Sequence, residues 1–267
     1  MRKYWVILCV SLSERLVYRA DFFLATFLRF IPIITTILLW EAIFHGAGKE
    51  EVGGLNYSQM VAYYLFIMVN RAFGSMPGLS TDISGDIRGG DLRKYLLQPI
   101  DYLTYQMTLR TAHKLVYMVM AAAPYALVFW MCRSYLPPWP ILESIGPAAA
   151  TLVLSFFLGF SMNALVGVVG FWFLEVGSFI HLFMTAQYFL SGHMFPLGLL
   201  PDSIHRWVTY LPFAYEAYYP TLILLGKLDS AEITRVLVTQ AVWVVVLLTL
   251  LRIAWLRGLR RYAAFGG

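Results

Sequence analysis

Ser84-Gly85-Asp86-Ile87-Arg88-Gly89-Gly90-Asp91-Leu92-Arg93-Lys94-Tyr95-Leu96-Leu97-Gln98-Pro99-Ile100-Asp101 carries six charged residues. Apolar segments long enough to cross a bilayer flank it on both sides. A polar island between two such segments reads as a loop held in water and presented to a partner. Of the 267 residues, 60% are hydrophobic and 13% charged. A soluble domain is about one quarter charged, so the composition belongs to the membrane class.

The 17 Tyr and 8 Trp suit the bilayer interface, where an amphipathic ring sits at headgroup level. The net charge of +5 does not point to nucleic acid. Its basic residues gather at the ends of apolar segments, as topology determinants do. Cys9 and Cys132 fall in different segments without metal-ligand spacing and read as small apolar packers. No metal site is expected.

Met1 to Val10 imitates a signal peptide, but Glu14, Arg15 and Arg19 follow with no small-residue cleavage pattern. Trp5, Cys9, Leu12, Leu16 and Ala20 recur at helical spacing, while Arg2, Ser11, Glu14 and Arg15 take other faces. Residues 1–20 therefore read as an amphipathic helix lying on the membrane.

Six spans follow: Phe22 to Phe44, Tyr57 to about Met76, about His113 to Met131, near 148–172, near 178–190, and about Val236 to Trp255. Tyr102 to Ala112 extends the third as an interfacial turn or two. Glu175 and Gly177 mark the reversal between the fourth and fifth. Basic residues concentrate at the amino terminus (Arg2, Lys3, Arg15, Arg19), at the island and just beyond it (Arg88, Arg93, Lys94, Arg110, Lys114), and at the carboxyl end (Arg252, Arg257, Arg260, Arg261). The opposite loops hold fewer, so both termini and the island read as cytoplasmic. The whole of 1–267 reads as one all-α membrane domain.

Within the island, Gly85 breaks any helix continuing from the second span, and Asp86 caps a turn. Gly89 and Gly90 break the chain again before a second cap at Asp91. Leu92 to Gln98 then forms about two turns with Leu92, Tyr95 and Leu96 on one face, and Pro99 stops it. A short crosswise helix of this kind suits a groove on a partner protein. The competing reading is a loop resting on anionic headgroups, which Asp86, Asp91 and Asp101 argue against. Residues 191–226 form an apolar outer loop cut by Gly192, Pro196, Gly198, Pro201 and Pro212, and two short helices dipping into the outer leaflet fit it. His193 and His205 read as interfacial polar residues there, not ligands.

Together these features resemble the membrane subunits of bacterial type-2 ATP-binding-cassette (ABC) exporters, the ABC-2 permeases. The resemblance rests on Asp86-Ile87-Arg88-Gly89-Gly90-Asp91-Leu92 with Leu96-Leu97-Gln98-Pro99, and on Ser191-Gly192, Phe195-Pro196-Leu197 and Leu211-Pro212-Phe213. It implies two paired permease subunits, identical or related, each docked through the cytoplasmic loop 82–101 on a separate ABC ATPase subunit. Asp86, Arg88, Gly89, Gly90, Asp91, Leu92, Tyr95, Leu96 and Pro99 would carry that coupling. It further implies a bacterial cytoplasmic membrane location, with no nucleic acid as partner. The chain has no Gly-x-x-x-x-Gly-Lys-[Ser/Thr] phosphate loop. The chain is thus expected to be non-catalytic, without a cofactor of its own, ATP and Mg²⁺ being held by the partner.

The resemblance also makes spans two and five line the substrate path, with Tyr63, Phe66, Asn70, His181, Met184, Gln187 and Tyr188 as candidate liners. Aromatic and Met side chains of this kind accept an amphipathic or lipid-like cargo. Arg29 is expected to snorkel to headgroups or pair with Glu175, and Arg71 to snorkel at the inner end of span two. Two rival functions lack their signatures. An intramembrane enzyme would show His-Glu-x-x-His, Gly-x-Ser-x-Gly or paired intramembrane Asp. A secondary transporter or channel would show inverted repeats with matching broken spans.

Overall fold

The computed structural model describes residues 3, 5–10, 31–48, 50–137 and 141–262. Among these the fold is all-α, with a lone Val52–Leu55 bridge and no strand. Ten helices follow in order: α1 Ile31–Ala47, α2 Tyr57–Gly74, α3 Leu79–Arg88, α4 Leu92–Leu96, α5 Tyr102–Met131, α6 Ile141–Val168, α7 Gly177–Leu190, α8 Asp202–Tyr210, α9 Tyr218–Leu224 and α10 Ser230–Arg261. Residues 5–10 are also helical; most of the amino-terminal surface helix, and Arg29, lie outside the described residues.

Among the described residues three stretches are long and apolar enough to cross a membrane: Tyr102–Met131, Ile145–Phe171 and Ser230–Arg261. A shorter apolar helix covers Ile31–Gly46. The local signals explain the lengths. Asp101 caps α5 by accepting from the Thr104 amide at 3.0 Å, so this helix starts at Tyr102 and runs unbroken through His113. Asp229 and Glu232 form a reciprocal capping box, which starts α10 six residues before Val236. The reversal between α6 and α7 falls where expected: the Gly177 amide donates to Glu175 Oε1 at 2.7 Å. With 14 residues, α7 is only about 21 Å long.

The island differs from its sequence reading. Gly85 does not break a helix; it sits inside α3, facing open space. The break comes earlier, at 75–78, where Pro77 has no amide to donate and Gly78 adopts φ +76°. Asp86 is therefore mid-helix, and Asp91 makes no side-chain cap bond; it pairs with Lys94 at 3.4 Å instead. Gly90 does turn the chain, with φ +79°. The helix that follows spans five residues, not seven, and only Leu92 of its apolar trio is fully buried.

Contacts fix the helix directions. Gly74 touches α6 at Gly159, and Ser80, Ile83 and Ser84 meet Asn163, Gly167 and Gly170 in turn. So α2 and α3 run end to end, parallel to α6. Gln240 meets Thr151 and Ser155, and Gly258 meets Phe171, so α10 is parallel to α6 as well. Tyr102 lies beside Asp86 and Tyr125 beside Met68, so α5 runs the other way. Trp40 and Phe44 meet Tyr64 and Tyr57, which makes α1 antiparallel to α2. The two larger apolar cores form along α6, with a small third cluster of Val166, Val176 and Ile180. One of the larger two gathers Met60, Tyr63, Phe66, Leu158, Tyr218 and Val244; the other Leu79, Ile83, Tyr102, Phe160, Leu251 and Trp255.

Glycines set the closest approaches on α6. A Cβ at Gly159 would lie 2.0 Å from the Gly74 carbonyl, and one at Gly167 would lie 2.9 Å from the Ser80 carbonyl. Backbone cannot yield as a side chain does. Gly159→Val is expected to force α2 off α6 and destabilise the fold by about 1–3 kcal/mol. A lowered thermal midpoint in detergent would register this, while Gly146→Val, in open space, serves as control.

Candidate functional site: a docking end and a cavity at the helix break

One end of the bundle carries the island. Leu92 is buried and anchors α4. Tyr95 packs edge-on against Tyr102 at 5.2 Å. Tyr102 donates to Asp86 Oδ2 at 2.6 Å, receives from Gln106 at 2.9 Å and stacks on Trp255 at 5.0 Å. Asp101 pairs with Arg252 at 2.5 Å, and Lys3 donates to the Pro99 carbonyl. Thus the amino-terminal segment, the island and the last helix are joined at one end. Two apolar residues face outward there: Leu96 is 47% exposed and Leu97 87%. Arg88, Gly89, Asp91 and Pro99 are exposed around them, and Gly90 is partly so.

Burial pushes the Asp101 carboxyl up, but hydrogen bonds from Arg252 and from the Thr104 amide and hydroxyl outweigh it and hold the group below the ordinary Asp range. A depressed folded-state pKa stabilises the fold above the unfolded value and loses that contribution as pH falls through the folded one. Protection of the 92–100 amides, relative to their intrinsic exchange rates, should therefore hold at neutral pH and fall only on acidification below the ordinary Asp range. Arg252→Gln should lower it at neutral pH already.

The second feature is a cavity of about 690 Å³ at the 75–78 break. A helix end exposes carbonyls without partners. Two cations one turn apart on α5 supply them here. Lys114 donates to the Ala72 and Ser75 carbonyls at 2.7 and 2.5 Å. Arg110 donates to the Pro77 carbonyl at 2.9 Å and to Asp82 at 2.5 Å. Ala72, Ser75, Met76 and Pro77 line the cavity, so the broken backbone faces it.

Across the cavity lies a buried polar layer. Glu216, 2% exposed, accepts from Gln187 Nε2 at 2.8 Å, and Asn163 donates to Gln187 Oε1 at 3.4 Å. Nearer the other core, Tyr64 donates to the Met194 carbonyl, and His193 is buried with Nδ1 2.5 Å from the Ser191 hydroxyl. His193 is thus a packed residue, not the interfacial one its setting implies. Its Nε2 has no partner among the described residues.

Of the path residues read from sequence, Met184, Gln187 and Tyr188 line this cavity. The others lie elsewhere. Tyr63 is buried and donates to the Gly192 carbonyl at 2.7 Å; Phe66 packs on Phe129; Asn70 donates to Thr221 at 2.7 Å. His181 is exposed on α7. Sequence reasoning missed Glu216 altogether, although it is the sole acidic residue between Asp202 and Asp229 in an apolar stretch. That was the available signal, since an ionisable group in such a setting marks a site. Arg71 lines the cavity with its guanidinium 5.6 Å above the Tyr188 ring. No group of His, Cys, Asp and Glu among the described residues can hold a metal ion.

Lys114→Met should orphan two carbonyls at about 1–3 kcal/mol each. A thermal midpoint lower than that of Lys114→Arg would register it.

A family model described as ABC-2 family transporter protein matches residues 30–266. No curated protein matches the chain.

Proposed function

The chain belongs to the ABC-2 transporter family, and on that premise we propose that it is the permease subunit of an ATP-driven bacterial exporter. Its apolar helices make it a multi-pass membrane protein. It would pair with a second permease subunit, identical or related, and be driven by separate ATPase subunits that hold ATP and Mg²⁺.

The alternating helix directions support six crossings: α1, then α2 with α3, then α5, α6, α7 (antiparallel to α6, since Gln187 meets Asn163 and Ile180 clusters with Val166) and α10. On this reading span two lengthens from 57–76 to 57–88, because α3 prolongs α2 past its break. The docking segment shortens from 82–101 to 89–101. The short α7 leaves 191–229 to fill the outer leaflet with α8 and α9 as re-entrant elements. The joining of Lys3, Pro99, Asp101 and Arg252 at one end supports both termini and the docking segment sharing one side, and positive charge makes it the cytoplasmic one.

The observation that carries the coupling role is the outward pair Leu96 and Leu97 at the end of a helix whose other face is locked into the bundle. Exposed leucines on a polar loop, rimmed by Arg93 and Lys94, fit a groove on a protein better than headgroups.

The double variant Leu96→Asp with Leu97→Asp is expected to cut co-purification of the ABC ATPase subunit by about tenfold or more. The permease itself should remain monodisperse, because neither side chain is packed. Undiminished co-purification would sink the coupling role.

A further inference from the structure

Among the described residues, Arg71 and Lys114 bring positive charge to the cavity at the break. Lys114 spends its ammonium on two backbone carbonyls. The one acidic liner among the described residues, Glu216, is recessed and held by Gln187. Arg71 is exposed, and no carboxylate lies within 4 Å of it among the described residues. Its guanidinium lies on Tyr188, which stacks on His193 at 5.9 Å, so the planar fork is preset and its edge stays open. Ile33, Ile67, Met68, Met184 and Met194 give the wall an apolar stretch, beside polar liners that include Thr36, His113, Asn163 and Gln187. The size falls within the range of ordinary small-molecule sites, about 300–1,000 Å³.

A cation without a carboxylate partner among the described residues, set beside an apolar stretch, selects an anion. We infer that this cavity binds an amphipath with one anionic group, a phosphate or carboxylate on Arg71, and an apolar tail along the Met and Ile wall. Calling that molecule cargo rests on the permease reading; the binding site does not. A guanidinium takes either anion through two parallel hydrogen bonds, which an alcohol or a quaternary amine cannot match. The flexible Met side chains adapt to the tail and set no strict length.

The test uses the full chain, co-purified with its ATPase, in phosphatidylcholine nanodiscs without nucleotide. A fluorescent fatty acid serves as probe, and dodecyl phosphate, dodecanoate, dodecanol and dodecyltrimethylammonium compete. The two anions should displace the probe at concentrations about tenfold or more below the other two. Arg71→Gln should remove that preference, and Arg71→Lys should retain part of it. Nanodiscs carrying phosphatidylglycerol separate the sources: lost probe binding there identifies a resident lipid headgroup, and unchanged binding a free amphipath. Equal competition by all four compounds overturns the inference on the wild-type protein alone, as does an unaltered preference in Arg71→Gln. ATP-driven flux, measured in parallel in sealed proteoliposomes, keeps the two ideas apart. Anion binding without flux sinks the exporter reading alone; flux without anion preference sinks this site alone.

Discussion

A backbone carbonyl that loses its helical partner inside an apolar bundle has no water to turn to, and leaving it bare costs about 1–3 kcal/mol. The break between α2 and α3 creates several such groups at once. Lys114 and Arg110, at i and i+4 on α5, answer them from a single helix face. The two cations are themselves costly to bury, so each needs the carbonyls as much as the carbonyls need it. This mutual dependence lets α2 and α3 lie along α6 as one interrupted rod, with the cavity beside the interruption.

The same logic explains the polar layer between the two apolar cores. Glu216, Gln187 and Asn163 are worth burying only as a connected set, each satisfying the next. Gly74 and Gly159 make the room: a side chain on either would meet Glu216 within 3.5 Å or less. Close backbone approach and a buried carboxylate therefore occupy one place. Gln240 repeats the pattern further along α6, donating to the Thr151 and Tyr215 carbonyls at 3.0 and 2.8 Å.

Much of the architecture was legible in the sequence, because apolar length and capping residues act locally. The long helices α5, α6 and α10 appear where hydropathy places them, and Gly89-Gly90 turns the chain as glycines do. What escaped the reading depends on partners distant in sequence. The island's helix start was misplaced because Gly85 can sit in a helix once Leu79, Ile83 and Ile87 are buried against α6. Arg71 and Lys114 look alike in sequence, each a cation near the end of an apolar run. Only the fold shows one capping carbonyls and the other facing open space. Tyr63, Phe66 and Asn70 share a helix with Arg71 but turn to the core, a distinction of azimuth that aromatic composition does not encode. His193 reads as a surface residue until Ser191 and Tyr188 are seen to enclose it.

The island's base touches two very different beams. Through Tyr102 it meets α5, thirty unbroken residues with a single proline near the far end. Through Gly90 it meets α3, whose connection to α2 is an articulated joint of Ser75, Met76, Pro77 and Gly78. A displacement imposed at this base would travel undiminished along the first and be absorbed as bending in the second. The shape of the cavity, which has walls on both, would then register the difference between them.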